Sequence, residues 1–151
     1  MIVVRPATSD DLDHLLTLAE EMDLFYGATE MDPPELRRQQ THEALFGNLP
    51  AANCLLAFDD QTSVGFAAYS FLWPAVGLTR SLYLKELFVS QTHQRRGVGR
   101  SLMESLLETA RKHDCTRVEW TTDTDNPIAQ AFYKTFAAEP TSNKLLYRVD
   151  Q

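Results

Sequence analysis

Tyr83-Leu84-Lys85-Glu86-Leu87-Phe88-Val89, followed after a short polar stretch by Gln94-Arg95-Arg96-Gly97-Val98-Gly99-Arg100, is the part of the chain from which its organisation can be read. The first run is apolar and rich in residues that suit a pleated surface, so a strand is expected over 81–89. After it, Val98, Leu102, Leu106, Leu107 and Ala110 recur on one face of a helix. Between them, Gly97 and Gly99 allow a close backbone turn, and the helix start presents N–H groups with a partial positive charge. Arg95, Arg96 and Arg100 add formal charge, so this strand–turn–helix unit suits a pyrophosphate, although a tight connection bearing solvated arginines has the same pattern. A dinucleotide fingerprint fits worse, because its third glycine falls on Leu102, and no Gly-x-x-x-x-Gly-Lys-Ser/Thr is present.

Upstream, residues 1–5 read as a first strand. Thr8 and Asp11 resemble a capping box, and Leu12, Leu15, Leu16, Ala19 and Met22 continue at helical spacing to about Phe25. Gly27, Pro33 and Pro34 break the chain into a loop before a second helix from about Glu35 to Phe46. Two apolar runs, 53–58 and 64–73, flank the polar turn 59–62 and form a hairpin. Downstream, residues 117–122 alternate as a half-exposed strand, Asn126-Pro127 starts a last helix, and residues 145–149 close the chain as a short strand.

The chain has 151 residues, 44% hydrophobic and 23% charged, enough to bury a core within one domain spanning 1–151. No repeat or linker divides it. No apolar run reaches the roughly 20 residues that cross a bilayer, and the amino terminus lacks a signal-peptide core, so no membrane partner is expected. A net charge of −7 argues against a nucleic-acid partner, which needs a basic footprint. The two cysteines, Cys54 and Cys115, lie far apart without metal-ligand spacing and imply reduced thiols in the cytoplasm. His14, His42, His93 and His113 are dispersed, and no metal is assigned.

Three elements in order carry a resemblance: the strand Tyr83 to Val89, the motif Gln94-x-x-Gly97-x-Gly99, and Asn126 followed by Ala131-Phe132-Tyr133-Lys134. Together they resemble the acetyl-CoA-binding core of the GCN5-related N-acetyltransferase (GNAT) superfamily. The likeness covers most of the chain and is most specific over 83–136. It implies an α/β fold with a central mixed, mostly antiparallel sheet of six to seven strands and about four helices. Arg5-Pro6-Ala7-Thr8, Phe25-Tyr26 and Phe71-Leu72-Trp73 look most like the diamine and thialysine acetyltransferase branch. Domains of this kind are often homodimers.

The resemblance implies the following roles. Backbone groups of Leu87, Phe88 and Val89 pair with the pantetheine arm of acetyl-CoA, with Gln94, Arg95, Arg96, Gly97, Val98, Gly99 and Arg100 around the pyrophosphate. Asn126 contacts the coenzyme and Tyr133 lies near its sulfur as general acid. Phe25 and Tyr26 match the acceptor-contacting end of the first helix. An amine attacking a thioester needs donors for the oxyanion, a proton for the thiolate, and a base, because an amine of pKa about 10 is protonated at neutral pH. Glu86 is the best candidate for that base, against an ion pair with Arg80 or Arg117; Glu119 and Asp123 are weaker alternatives. Lys85 departs from the diamine pattern, which is acidic there. On a regular strand Glu86 faces the opposite side and cannot replace the lost carboxylate unless a bulge intervenes. Lys85 either holds an anionic part of the acceptor or lies on a solvated face. The expected function is acetyl transfer to a primary amine of a small molecule. A non-catalytic acetyl-CoA sensor and a protein amino-terminal or lysine acetyltransferase are the alternatives.

Overall fold

The computed structural model describes residues 1–151, which separate into two units, Met1–Trp120 and Thr121–Gln151. In the first unit a five-stranded sheet runs in the order β1 (Ile2–Pro6), β2 (Asn53–Asp59), β3 (Thr62–Leu72), β4 (Arg80–Val89) and β5 (Cys115–Glu119). Its first four strands are antiparallel, and β5 joins parallel to β4. A tight turn joins β2 to β3, whereas α1 (Leu12–Phe25) and α2 (Pro34–Phe46) lie in the connection between β1 and β2. The parallel step needs a crossover, which α3 (Val98–Lys112) supplies.

Both faces of the sheet are covered. On one, Cys54, Leu56, Phe58, Phe66 and Phe88 form a buried cluster with Leu15 and Leu18 of α1, joined by Leu45 and Phe46 at the end of α2. On the other, α3 lays down Val98, Leu102, Met103, Leu106 and Ala110, all buried. A strand covered on both faces has no solvent side, so β2 is buried from Cys54 to Phe58 instead of alternating.

Gly65 determines how close α3 comes. A Cβ there would lie 2.7 Å from the Phe88 carbonyl oxygen and 3.2 and 3.3 Å from methyl carbons of Val98 and Leu102. The first turn of α3 therefore seats on bare backbone.

At the start of α1, Asp11 accepts two hydrogen bonds from Arg5, at 2.7 and 2.8 Å, and one from the Thr8 N–H at 2.8 Å. The capping box read from Thr8 and Asp11 is present, around a single 3-10 turn that precedes α1.

In the second unit, α4 (Pro127–Lys134) starts with Asn126, whose side-chain oxygen accepts the Ala129 N–H at 3.1 Å, and with Pro127 in the first turn. The expected strand over 145–149 is absent, and Leu145, Leu146, Tyr147 and Val149 are exposed. A short apolar run becomes a strand only when a neighbour supplies the ladder, and none does here. The sheet therefore has five strands, not six or seven, with four α-helices as expected.

Candidate active site

Strand β4 has two different edges. Toward β3 it is paired from Ser81 to Val89. Toward β5 the pairing ends at Tyr83↔Glu119. From Leu84 to Val89 one edge of β4 therefore has no ladder partner, and its N–H and C=O groups are available to an extended ligand. Leu87, Phe88 and Val89 lie at the far end of this open edge.

The open edge leads into the glycine-containing turn. After Ser90 come a single 3-10 turn, Gln91–His93, and the loop to α3. Arg95 and Gly97 adopt left-handed backbone angles, with φ of 60° and 83°. Such turns gather successive N–H groups on one side, and at Gly97 only glycine does so without steric cost. Gly97 is also the N-cap of α3 and brings no capping side chain. The first helical return bond is Ser101 N–H to the Gly97 carbonyl, at 3.0 Å, so the amides of Val98 and Gly99 have no acceptor within the helix. An anion at this position would meet uncapped donors and the positive end of the dipole.

The arginines of the loop differ. Arg96 reaches Asp59 at the end of β2, at 3.4 Å, and His93 Nε2 lies 3.5 Å from the same carboxylate. Arg100 pairs with Glu104 at 3.6 Å. Arg95 makes no ion pair within the chain and is exposed, as is Gln94.

Glu86 and Tyr26 are brought together from different elements. The Tyr26 hydroxyl donates to Glu86 Oε1 at 3.0 Å, so the partner of Glu86 is neither Arg80 nor Arg117. Burial raises the Glu86 pKa above the ordinary carboxylate value, against the opposing effects of the Tyr26 hydrogen bond and the Lys85 charge. Tyr26 follows the end of α1, with Phe25 edge-on at 5.5 Å between ring centroids; both rings are exposed. They form an aromatic rim beside the carboxylate.

A bulge alters the alternation at this point. Tyr69 pairs with Leu84 and Ala68 with Glu86, leaving Lys85 as the extra residue of β4. The regular-strand objection to Glu86 does not apply, because two β4 steps here answer one step of β3. Lys85 is exposed.

Tyr133 lies on α4 beside Phe132, their ring centroids 5.2 Å apart. The Asn126 side-chain oxygen is used for the helix cap, which leaves its NH2 end as the part able to meet a ligand. Glu119 ends β5 exposed, and Asp123 is exposed. Burial pushes the Cys54 thiol up to about 12, which makes it a packing group. No group of His, Cys, Asp or Glu side chains is arranged to hold a metal ion, and no helix is long and apolar enough to cross a membrane.

Residues 15–137 match the family model described as acetyltransferase (GNAT) family. The chain belongs to the GNAT family. It is 33% identical over 95 residues to the D-amino-acid N-acetyltransferase HPA3 of Saccharomyces cerevisiae, a match covering 62% of this chain and 58% of that protein. It is 29% identical over 122 residues to the human spermidine/spermine N(1)-acetyltransferase-like protein 1, covering 74% of this chain and 17% of that protein. The chain thus spans little more than half of one curated relative and a small part of the other. Among solved structures, an integron cassette protein from the mobile metagenome of V. cholerae superimposes with a TM-score of 0.84 at 26% identity, covering 99% of this chain and 93% of the other.

Three residues of this GNAT site have no motif to announce them. Glu21 accepts hydrogen bonds from Ser90 and Gln91, Asp59 holds Arg96, and Gly65 seats α3. Only Gly65 leaves a trace in the sequence, as a lone glycine inside an apolar strand. Glu21 looks like any charge on the solvent face of an amphipathic helix.

Proposed function

We propose that this GNAT protein transfers the acetyl group of acetyl-CoA directly to the primary amine of a small amino-acid-like molecule in a ternary complex. One observation carries the reading: the unpaired edge of β4 from Leu84 to Val89 leads into uncapped amides at the start of α3 and carries a half-buried carboxylate, Glu86, on the same strand. The edge suits the amide-bearing pantetheine arm, and the amides of Val98, Gly99 and Arg100 suit the pyrophosphate, with Arg95 adding charge. Asn126 is assigned a further coenzyme contact.

Glu86 removes the proton from the acceptor ammonium, and its raised pKa makes it a stronger base than an ordinary carboxylate. Backbone N–H groups of β4 stabilise the oxyanion as the amine nitrogen bonds to the thioester carbon. Tyr133 donates a proton to the sulfur as the C–S bond breaks, a role assigned from its place in the Asn126-to-Lys134 motif. Phe25 and Tyr26 flank the amine.

Two features favour an acceptor with a carboxylate over a polyamine. Lys85 stands exposed next to Glu86, where it repels a polycation and attracts an anion. The yeast relative is named for acetylating D-amino acids. A sensor without turnover has no need of a half-buried carboxylate beside the open edge.

The test is free-thiol release from acetyl-CoA with amino acids, diamines, aminoglycosides and peptides as acceptors. We expect release with amino acids, lowered about 10²- to 10⁴-fold in Glu86→Gln. Coenzyme binding without release for any acceptor refutes the enzyme reading and favours the sensor.

A further inference from the structure

Helix α1, with the Tyr26 that caps it, reaches β4 and the residues just after β4 at two points, at either end of the segment assigned to the pantetheine arm. Near one end the Tyr26 hydroxyl donates to Glu86. At the other, Glu21 Oε1 accepts both the Ser90 hydroxyl, at 3.0 Å, and the Gln91 N–H, at 2.9 Å. Leu87, Phe88 and Val89 lie between these two contacts.

The Glu21 contact is placed where β4 stops being a strand. Ser90 makes the last bond back to β3, its N–H donating to the Val64 carbonyl at 2.9 Å. The chain then turns into Gln91–His93, and the Ser90 side chain does not cap that turn. Instead it points to Glu21, with Thr92 Oγ1 3.2 Å away, and Ser90 is buried at 8% exposure. The cap comes from another helix: a carboxylate of α1 satisfies the first orphan amide of the turn. This fixes where the open edge ends and where the loop to Gly97 begins. A ligand added along an edge gains its hydrogen bonds only when the edge is held in register, so any freedom at this exit weakens binding.

We propose that Glu21 is a positioning residue that locks the exit of the coenzyme-binding strand onto the helix carrying Tyr26, so that coenzyme binding and the acceptor site are coupled through α1. The proposal rests on the reading that acetyl-CoA occupies the open edge of β4 and the start of α3. Glu21 acts through hydrogen-bond acceptance. Both donors, a hydroxyl and an amide, are neutral, so an uncharged oxygen in the same place can still accept from them. Glu21→Gln keeps an oxygen at the same position and retains function, whereas Glu21→Ala removes the acceptor and leaves the Gln91 N–H and Ser90 hydroxyl without it.

The experiment measures the dissociation constant of acetyl-CoA by calorimetry well below the melting temperature, KM for both substrates, kcat, and amide exchange at Gln91. Parent, Glu21→Ala, Glu21→Gln and Ser90→Ala are compared. Glu21→Ala is expected to raise the acetyl-CoA dissociation constant and KM about tenfold and to speed Gln91 exchange, with kcat at saturation falling less than threefold. Glu21→Gln stays within about twofold of the parent, and Ser90→Ala, which loses one of the two bonds, falls between them. If Glu21→Ala does not fold, Ser90→Ala and Glu21→Gln carry the test. A lower melting temperature with unchanged acetyl-CoA affinity overturns the proposal, as does Glu21→Gln proving as weak as Glu21→Ala. If the parent itself does not bind acetyl-CoA, the functional reading falls, a different result from a parent that binds and variants that bind equally well.

Discussion

Replacing Gly65 by alanine tests whether bare backbone at this position sets the start of α3. The new Cβ lies 2.7 Å from the Phe88 carbonyl oxygen, closer than a methyl group can approach, and that oxygen belongs to β4 backbone and cannot rotate away. Its other neighbours, Val98 and Leu102 at 3.2 and 3.3 Å, are fully packed, with 1% and 0% exposure. Either the β3–β4 pair opens or the first turn of α3 lifts by a few tenths of an ångström. Overpacking of this kind costs about 1–3 kcal/mol. Against it stands about 0.5–1 kcal/mol from replacing glycine inside a strand. The net loss, about 0–2.5 kcal/mol and centred near 1 kcal/mol, corresponds at its centre to a fall in Tm of about 2–4 °C for a chain of this size. Because the lifted turn carries the amides of Val98, Gly99 and Arg100, coenzyme affinity falls as well. Thermal unfolding and calorimetric titration with acetyl-CoA read both effects. A Gly65→Ala protein with parental Tm and affinity within twofold would refute the reasoning.

Three further outcomes follow from the site. Tyr26→Phe removes the hydrogen bond that lowers the Glu86 pKa while burial still raises it, so the acid limb of kcat/KM against pH moves to higher pH; a limb that stays or moves down contradicts the pairing. Lys85→Ala raises KM for an α-amino acid about two- to fivefold, the worth of an exposed ion pair, and leaves KM for the corresponding amine without its carboxylate unchanged or lower; equal effects on both remove the carboxylate contact. Tyr133→Phe lowers kcat about 10²-fold or more with acetyl-CoA binding retained, and turnover within twofold of the parent excludes Tyr133 as general acid.

Much of the fold was legible because its determinants are local. Helices α1, α2 and α3 are written in apolar spacing and in the breakers Gly27, Pro34 and Gly47, and the polar turn Asp59-Asp60-Gln61-Thr62 separates the two strands of the hairpin. Residues 145–149 misled because an apolar run suits a strand but pairing is what makes one. The site divides in the same way. The turn from Gln94 to Arg100 is visible because glycine and helix-start chemistry are encoded in consecutive residues. The Tyr26–Glu86 contact joins residues 60 apart, and the bulge that places Lys85 outside the ladder arises from the register of two strands. Glu21 was invisible for the same reason, since its partners Ser90 and Gln91 are some 70 residues away.

The central claim is that acetyl-CoA adds to the open edge of β4 and ends at the start of α3. Amide hydrogen exchange with and without acetyl-CoA, resolved by residue, tests it most directly. Amides within 84–89 and those of Val98, Gly99 and Arg100 are expected to slow together at saturating coenzyme, while the distant face of α2 is unchanged. Saturable binding that leaves those amides exchanging at their ligand-free rates would contradict it.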